Sequence, residues 1–436
     1  SFQNAGESSV DLDEFGLFTG ESNVLWEGER PELSGFFYLE GRNFEAKKVN
    51  WFKKGKRGPY LKQVDQLGYA GVGSQFFASV VSPREPYSAS IWADSSRVRL
   101  SEAAGGTESY TLRLGMSLPP ESLAAGGDKE AVSYEVFIGP KRNPMLRSLG
   151  GKRGKVMNYG FFGIVSWPLN FLLNYLHDFV FGPISGTWAW GWSIVALTIV
   201  IRGAMWPLQN KSTRAMKRMA KLQPEMQKLK EKYPDDPNRM NQEMMKMYRE
   251  YGINPIGGCL PLVVQIPIFF GFYRMLQFAV EVRGAEFLWV TDLSQPDTVA
   301  TLPFSLPFLG DGVNLLPILM AVTMVLQMMM TPKTGDKMQR RLFMMMPVIF
   351  FFFCYNFASA LALYWTTSNI FAIAQTLITK RLPEPELKKK ASGKKGFWQR
   401  MQQRAEEAQK AQKARQSGAM GAPPKKPKKR RPRTGG

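Results

Sequence analysis

The chain has 436 residues, with 57 lysines and arginines against 36 acidic residues and a formal charge of +21. Its mean hydropathy of −0.22 averages three unlike parts, so it does not mark the chain as soluble. Two cysteines, Cys259 and Cys354, both in apolar runs, and a single histidine, His177, imply neither a disulfide framework nor a metal cluster.

Residues 1–150 come first. Runs such as LSGFFYLEG, GSQFFASVVS, YSASIWAD, SYTLRLGMSL and VSYEVFIGP alternate and are separated by turn-forming Gly, Pro, Asn and Asp. They predict an all-β, antiparallel sandwich domain. No catalytic triad, carboxylate dyad or phosphate loop is visible in it. Asp11, Asp13 and Glu14 read as a solvated strand edge rather than a metal site.

Residues 156–183 are apolar, but Asn170, Asn174, His177 and Asp178 recur at helical spacing. That pattern predicts an amphipathic helix lying in a membrane interface. Charge-free stretches follow at 184–201 (running on to Leu208), 251–273, 312–332 and 342–379. About 20 apolar residues cross a bilayer. The last stretch, 38 residues long, holds two helices turning near Asn356, Ala358 and Ser359. Residues 184–380 therefore predict a five-helix, multi-pass α-helical membrane core. Inside the first stretch stands Arg202, with no other charge back to Asp178. An arginine at that depth costs about 2.5–3.5 kcal/mol unless it faces protein or water. It either lines a wet hollow or snorkels to the cytoplasmic headgroups, and spacing alone leaves both readings open.

Between the first two spans, residues 209–252 have helical composition on either side of YPDDPN, predicting a cytoplasmic helical hairpin. Met216, Met219 and Met226 recur on its outgoing half, and Met244 and Met247 on its return. Such stripes pack against each other or offer an adaptable surface to hydrophobic segments. This loop carries 11 basic and six acidic residues, and 332–341 carries four basic and one acidic, whereas 281–311 holds Arg283 among five acids. The positive-inside rule puts the hairpin and tail in the cytoplasm and the β domain in the periplasm or its equivalent. The tail, residues 381–436 with Lys380 before it, holds 19 lysines and arginines against four glutamates, a net of +15. Its end is disordered by composition and suited to polyanions, namely ribosomal RNA or anionic lipid.

NYGFFGIVSWPLNFLL, TIVIRGAMWPL, the run from LQPEMQKLKEKYPDDPNRM through NPIGGCLPLVVQIPIFF, and LALYWTTSNIFAIAQTLI occur in that order. Over about 156–380 they resemble the YidC family of membrane protein insertases, which has counterparts in mitochondria and chloroplasts. GVGSQFFASVV and YEVFIGPK resemble the periplasmic domain of its Gram-negative members. The resemblance implies an inner-membrane insertase and chaperone, with no cofactor and no enzymatic step. Its hydrophilic, positively charged groove is open to cytoplasm and lipid and lined by Arg202, Thr198, Gln265, Tyr364 and Trp365. On this resemblance Arg202 belongs to the groove. The implied partners are nascent and small integral membrane proteins, the Sec translocon, the ribosome through the tail and cytoplasmic loops, and anionic lipids. The resemblance also implies a preceding span and earlier periplasmic segment, so the chain reads as truncated. Ala358-Ser359-Ala360 stands where Gram-negative members carry Pro-Ser-Gly. A transporter using Arg202 as an anion site is the main competing class, but the spans show no inverted repeat; a scaffold for membrane complexes is another.

Overall fold

The computed structural model describes residues 1–24, 29–53, 58–100, 106, 108–127, 129–258, 260–331 and 337–380; Cys259 and the basic tail lie outside them. The described residues fall into two compact units, the first within Ser1–Lys228 and Asn254–Pro385, the second within Leu229–Ile253.

Eight antiparallel strands build the N-terminal part: β1 Gly16–Ser22, β2 Gly35–Glu40, β3 Asn43–Lys48, β4 Tyr60–Gly73, β5 Phe77–Pro83, β6 Tyr87–Arg99, β7 Glu108–Ser117 and β8 Tyr134–Pro140. Their order is β8-β5-β4-β6-β7-β1, with β2 bridging β3 and β4. β4 makes the sheet fold over. Its first half pairs with β6 and its second with β2 and β5, with a register shift between Val64 and Leu67. One face buries Phe36, Tyr38, Ile91, Leu112, Leu114 and Met116 in a sandwich-like core, each worth about 1.5–3 kcal/mol. All five predicted strand runs form strands. β1, β3 and β4 were not anticipated, since glycines and charged residues interrupt their alternation.

β8 leads into α1, Asn143–Ser148, across a buried Lys141. The Lys141 Nζ donates to the Ser74 carbonyl at 2.6 Å and lies 4.8 Å from the Phe278 ring centroid. Burial pushes this ammonium down to about 7. Gln75 donates to the Gln277 carbonyl at 2.9 Å, and Arg30 lies 5.2 Å over the Phe357 ring. The sheet therefore rests on the helical part through specific polar contacts.

That part consists of α2 Gly163–Leu176, α3 Ala189–Lys221, α4 Gln223–Lys232, α5 Pro237–Glu250, α6 Leu260–Phe278, α7 Leu315–Met330, α8 Lys337–Cys354 and α9 Ser359–Lys380. Among the described residues, the helical stretch Gly160–Lys221 is long and apolar enough to cross a membrane. Val263–Phe278, Leu315–Met330 and Met344–Cys354 are shorter apolar helices. Two findings differ from the sequence reading. Within the polar stripe of 156–183, Asn170 and Asn174 are buried while His177 is half-buried and Asp178 exposed, and Phe161, Ile164 and Phe171 face out. Asn143 donates to Asn170 Oδ1 at 2.6 Å and Asn174 to the Asn170 carbonyl at 2.9 Å, which offsets part of the cost of that burial. Secondly, α3 continues without a break through Lys221, so the first third of the expected hairpin prolongs the first apolar helix. Pro207 sits inside α3 without ending it. The return helix α5 starts where expected: Pro237 is at its first turn, and the Asp236 side chain accepts from Arg239 N–H at 2.9 Å.

Candidate functional site: a polar seam between two apolar helices

α3 and α9 lie side by side, and their facing residues are polar. The Arg202 Nε donates to Ser368 Oγ at 2.6 Å. One turn beyond, Trp206 meets Phe371 edge to face with 5.6 Å between centroids. Gln375 donates to Asn210 Oδ1 at 3.4 Å, and the Lys217 ammonium donates to the Thr379 carbonyl at 3.5 Å. Arg202, Trp206, Asn210 and Lys217 are spaced by four, four and seven residues along α3, and Ser368, Phe371, Gln375 and Thr379 by three, four and four along α9. A single helical face of each supplies the seam.

Arg202 itself is half-buried, and among the described residues no carboxylate reaches it. Ser368, by contrast, is buried. It takes one of the five guanidinium donors and leaves the terminal ones without a protein acid. An unpaired guanidinium in apolar surroundings attracts anions more strongly than it would in bulk water.

The other anticipated residues divide. Gln265, on α6, donates to the Tyr364 hydroxyl at 2.8 Å, and the Tyr364 ring stacks on Phe272 at 4.0 Å. Tyr364 is thus buried with its hydroxyl satisfied. Trp365 stays half-buried between Phe269 and Phe350, at centroid distances of 4.9 and 4.8 Å. Thr198 is fully buried, and its hydroxyl donates back to the Ile194 carbonyl at 2.7 Å. So Arg202, Gln265, Tyr364 and Trp365 gather where α3, α6 and α9 meet, while Thr198 sits in the packed core one turn away. The five methionines fall on three helices. Met216 and Met219 lie on α3 beside Gly258, Met226 on α4, and Met244 and Met247 on α5 of the second unit.

Ser368, Asn210 and Gln375 were missed by sequence reasoning. The signal was present: Tyr364, Ser368, Gln375 and Thr379 share one helical face in a stretch without charges.

The end of the helices away from Lys217 is closed. Ser359 N–H donates to the Gln295 carbonyl at 2.7 Å and Ala360 N–H to Leu293 at 3.0 Å, which ties the 285–297 segment over the turn between α8 and α9. Asp297 Oδ2 accepts from Trp289 Nε1 at 3.0 Å and from Leu316 N–H at 2.6 Å, capping α7. Beneath that cover Phe272, Met275, Leu276, Phe287, Leu293, Leu316 and Leu361 form an apolar plug. Ala358-Ser359-Ala360 makes this turn without proline or glycine: α9 starts at Ser359, and Ala360 is fully buried.

The chain was compared with known proteins. The family described as YidC periplasmic domain matches residues 3–172, and the family described as 60Kd inner membrane protein matches residues 180–390. A membrane protein insertase YidC of Nitratidesulfovibrio vulgaris is 34% identical over 385 residues, 82% of this chain and 66% of that relative. One of Syntrophobacter fumaroxidans is 42% identical over 251 residues, covering 57% of this chain and 44% of the relative. One of Pelobacter propionicus is 39% identical over 264 residues, covering 60% and 47%. The chain thus spans between 44% and 66% of these relatives' length.

Proposed function

Because the chain belongs to the YidC family of membrane protein insertases, we propose that it places other proteins into a bacterial inner membrane by way of the seam around Arg202. The observation that carries this reading is the half-buried Arg202 guanidinium, held among the described residues by Ser368 alone, on helices whose far end is plugged by apolar side chains. A substrate with a short polar or acidic end must take that end through hydrocarbon. A fixed positive charge in a partly desolvated hollow stabilises the end on its way and shortens the dry distance left to cross. The substrate's apolar helix then moves sideways into lipid, worth about 25 cal/mol for each Å² removed from water. No bond is made or broken, and no nucleotide or metal enters the scheme.

In this reading α3, α6, α7, α8 and α9 are the five spans, and the β domain lies in the periplasm. The Lys217 end of the seam faces the cytoplasm, in keeping with the basic loops. Arg202, Gln265, Tyr364 and Trp365 line the substrate path, with Thr198 supporting it from the core. The 209–252 segment receives substrates through Met216, Met219, Met226, Met244 and Met247. The basic tail and loops engage the ribosome and anionic lipids, and longer substrates are handled together with the Sec translocon.

Reconstitution tests the proposal. Liposomes holding the purified protein should protect a single-span test substrate from added protease, and empty liposomes should not. Movement of a small anion without substrate protection would overturn the proposal in favour of a transporter.

A further inference from the structure

Among the described residues, twelve buried side-chain polar atoms have no hydrogen-bond partner, and seven of them meet at one joint. They are Arg142 Nε, Asn143 Oδ1, Tyr159 Oη, Asn170 Nδ2, Asn174 Oδ1 and both carboxylate oxygens of Glu281. Asn143, Tyr159, Asn170 and Asn174 are each at most 5% exposed. The joint brings together three parts of the fold: the exit helix of the β domain (α1), the inward face of α2, and the turn after α6 that carries Glu281. Asn143 donates to Asn170 Oδ1 at 2.6 Å. Asn174 directs its amide protons to the Asn170 carbonyl and side chain, at 2.9 and 3.4 Å, and stands close enough to the Glu281 carboxyl to favour its ionised form against the effect of burial.

Buried polar atoms are almost always hydrogen-bonded, and unmet ones are costly, so seven of them at one joint call for a reason. The unmet set contains donors as well as acceptors. A bare cation would serve the acceptors and leave Arg142 Nε and Asn170 Nδ2 unmet, and the Arg142 charge would oppose it. A protonated carboxyl both donates and accepts, so it fits the set.

We propose that Glu281 is a proton-operated latch, closing the joint between α1, α2 and the end of α6 when neutral and loosening it when ionised. The charged and titratable groups that face it are Arg142, Asp178 and Tyr159. His177 stands behind Asp178 at 2.8 Å, Arg142 reaches Asp178 at 3.8 Å, and Arg147 lies over Trp167 beside Tyr159. Burial pushes the Glu281 carboxyl above the usual glutamate range, and Arg142 and Asn174 only partly oppose this. An acid whose affinity for protons is raised on folding stabilises the closed form fully below the ordinary glutamate value. That contribution is lost as pH rises through the folded value, by up to tenfold in the closing equilibrium per pH unit. The latch does not rest on the insertase reading, because it concerns closure of the fold and not passage of a substrate.

Hydrogen exchange of the full chain in lipid nanodiscs from pH 5 to 9, corrected for intrinsic exchange, tests it. Protection of 143–148 and 163–176 should fall as pH rises in the wild type and should stay high and flat in Glu281→Gln. Arg142→Gln is the second variant. Without the positive neighbour the carboxyl holds its proton longer, so the midpoint should move to higher pH. Flat protection in the wild type, an unchanged slope in Glu281→Gln, or an unmoved midpoint in Arg142→Gln would overturn the latch.

Discussion

Ser368 decides where the Arg202 guanidinium points. A long, flexible side chain in a half-wet seam has many rotamers, and one charge-assisted hydrogen bond at 2.6 Å selects among them. Such bonds contribute about 1.5–3 kcal/mol, less where water competes. Ser368→Ala should therefore lower insertion of acidic-ended substrates several-fold. Ser368→Thr, which keeps the hydroxyl, should restore most of it. Equal insertion by wild type and Ser368→Ala in a quantitative protease-protection assay would show that Arg202 needs no such hold. At this scale the sequence was only partly legible. Arg202 stood out because charge is rare in apolar runs. Ser368 did not, because a serine in a membrane helix carries no visible cost until its partner is known. Asn170 and Asn174 were read as the polar stripe of an interfacial helix, since such a stripe alone does not tell a polar outer face from one buried against other amides.

Among the helices, close approach depends on missing side chains. A Cβ on Gly191 of α3 would strike the Phe287 ring, and one on Gly271 of α6 would stand 2.6 Å from Val165 of α2. Gly203, also on α3, has nothing within 4 Å. Overpacking costs about 1–3 kcal/mol. Gly191→Ala and Gly271→Ala should each lower the melting temperature of the detergent-solubilised protein, and Gly203→Ala should not. A Gly191→Ala variant as stable as the wild type would mean that the 285–290 turn does not pack on α3 as described. Helix positions were legible from charge-free length. Helix ends were not: α3 runs through Pro207 and 13 residues into the expected hairpin, ending at Lys221. Its basic, Met-containing continuation is as helix-prone as the span itself. β4 escaped notice for the opposite reason. Its three glycines, Gly68, Gly71 and Gly73, break the alternation of a strand whose neighbours require them to be small.

For the molecule as a whole, charge is separated from chemistry. The residues that follow α9 in sequence, 381–436, hold 18 lysines and arginines against four glutamates, a net of +14 that is local in sequence. A segment of this kind adds affinity for polyanions through counterion release, and that affinity falls steeply with salt. Removing 385–436 should weaken ribosome co-sedimentation and flatten its salt dependence, while sparing insertion of a substrate added after translation. Equal binding and equal slope would move the ribosome contact to the 209–252 or 332–341 segments. Overall architecture was the most legible level, because a β-rich part, long apolar runs and a basic tail differ in composition as well as in pattern. The docking of the β domain on α6, through Lys141 and Gln75, and on the turn between α8 and α9, through Arg30, was not legible. It joins residues up to 327 positions apart, none of which is unusual alone.

In the proposed function, the positive charge of Arg202 carries polar ends across the membrane. This role is tested most directly by measuring insertion of paired substrates, identical except for an acidic or a neutral leading end, in liposomes holding wild type, Arg202→Lys or Arg202→Ala. Arg202→Ala should lose about tenfold with the acidic substrate and much less with the neutral one, a difference on the order of 1.4 kcal/mol, and Arg202→Lys should retain most activity on both. Equal losses on the two substrates with Arg202→Ala, or no loss on either, would contradict it.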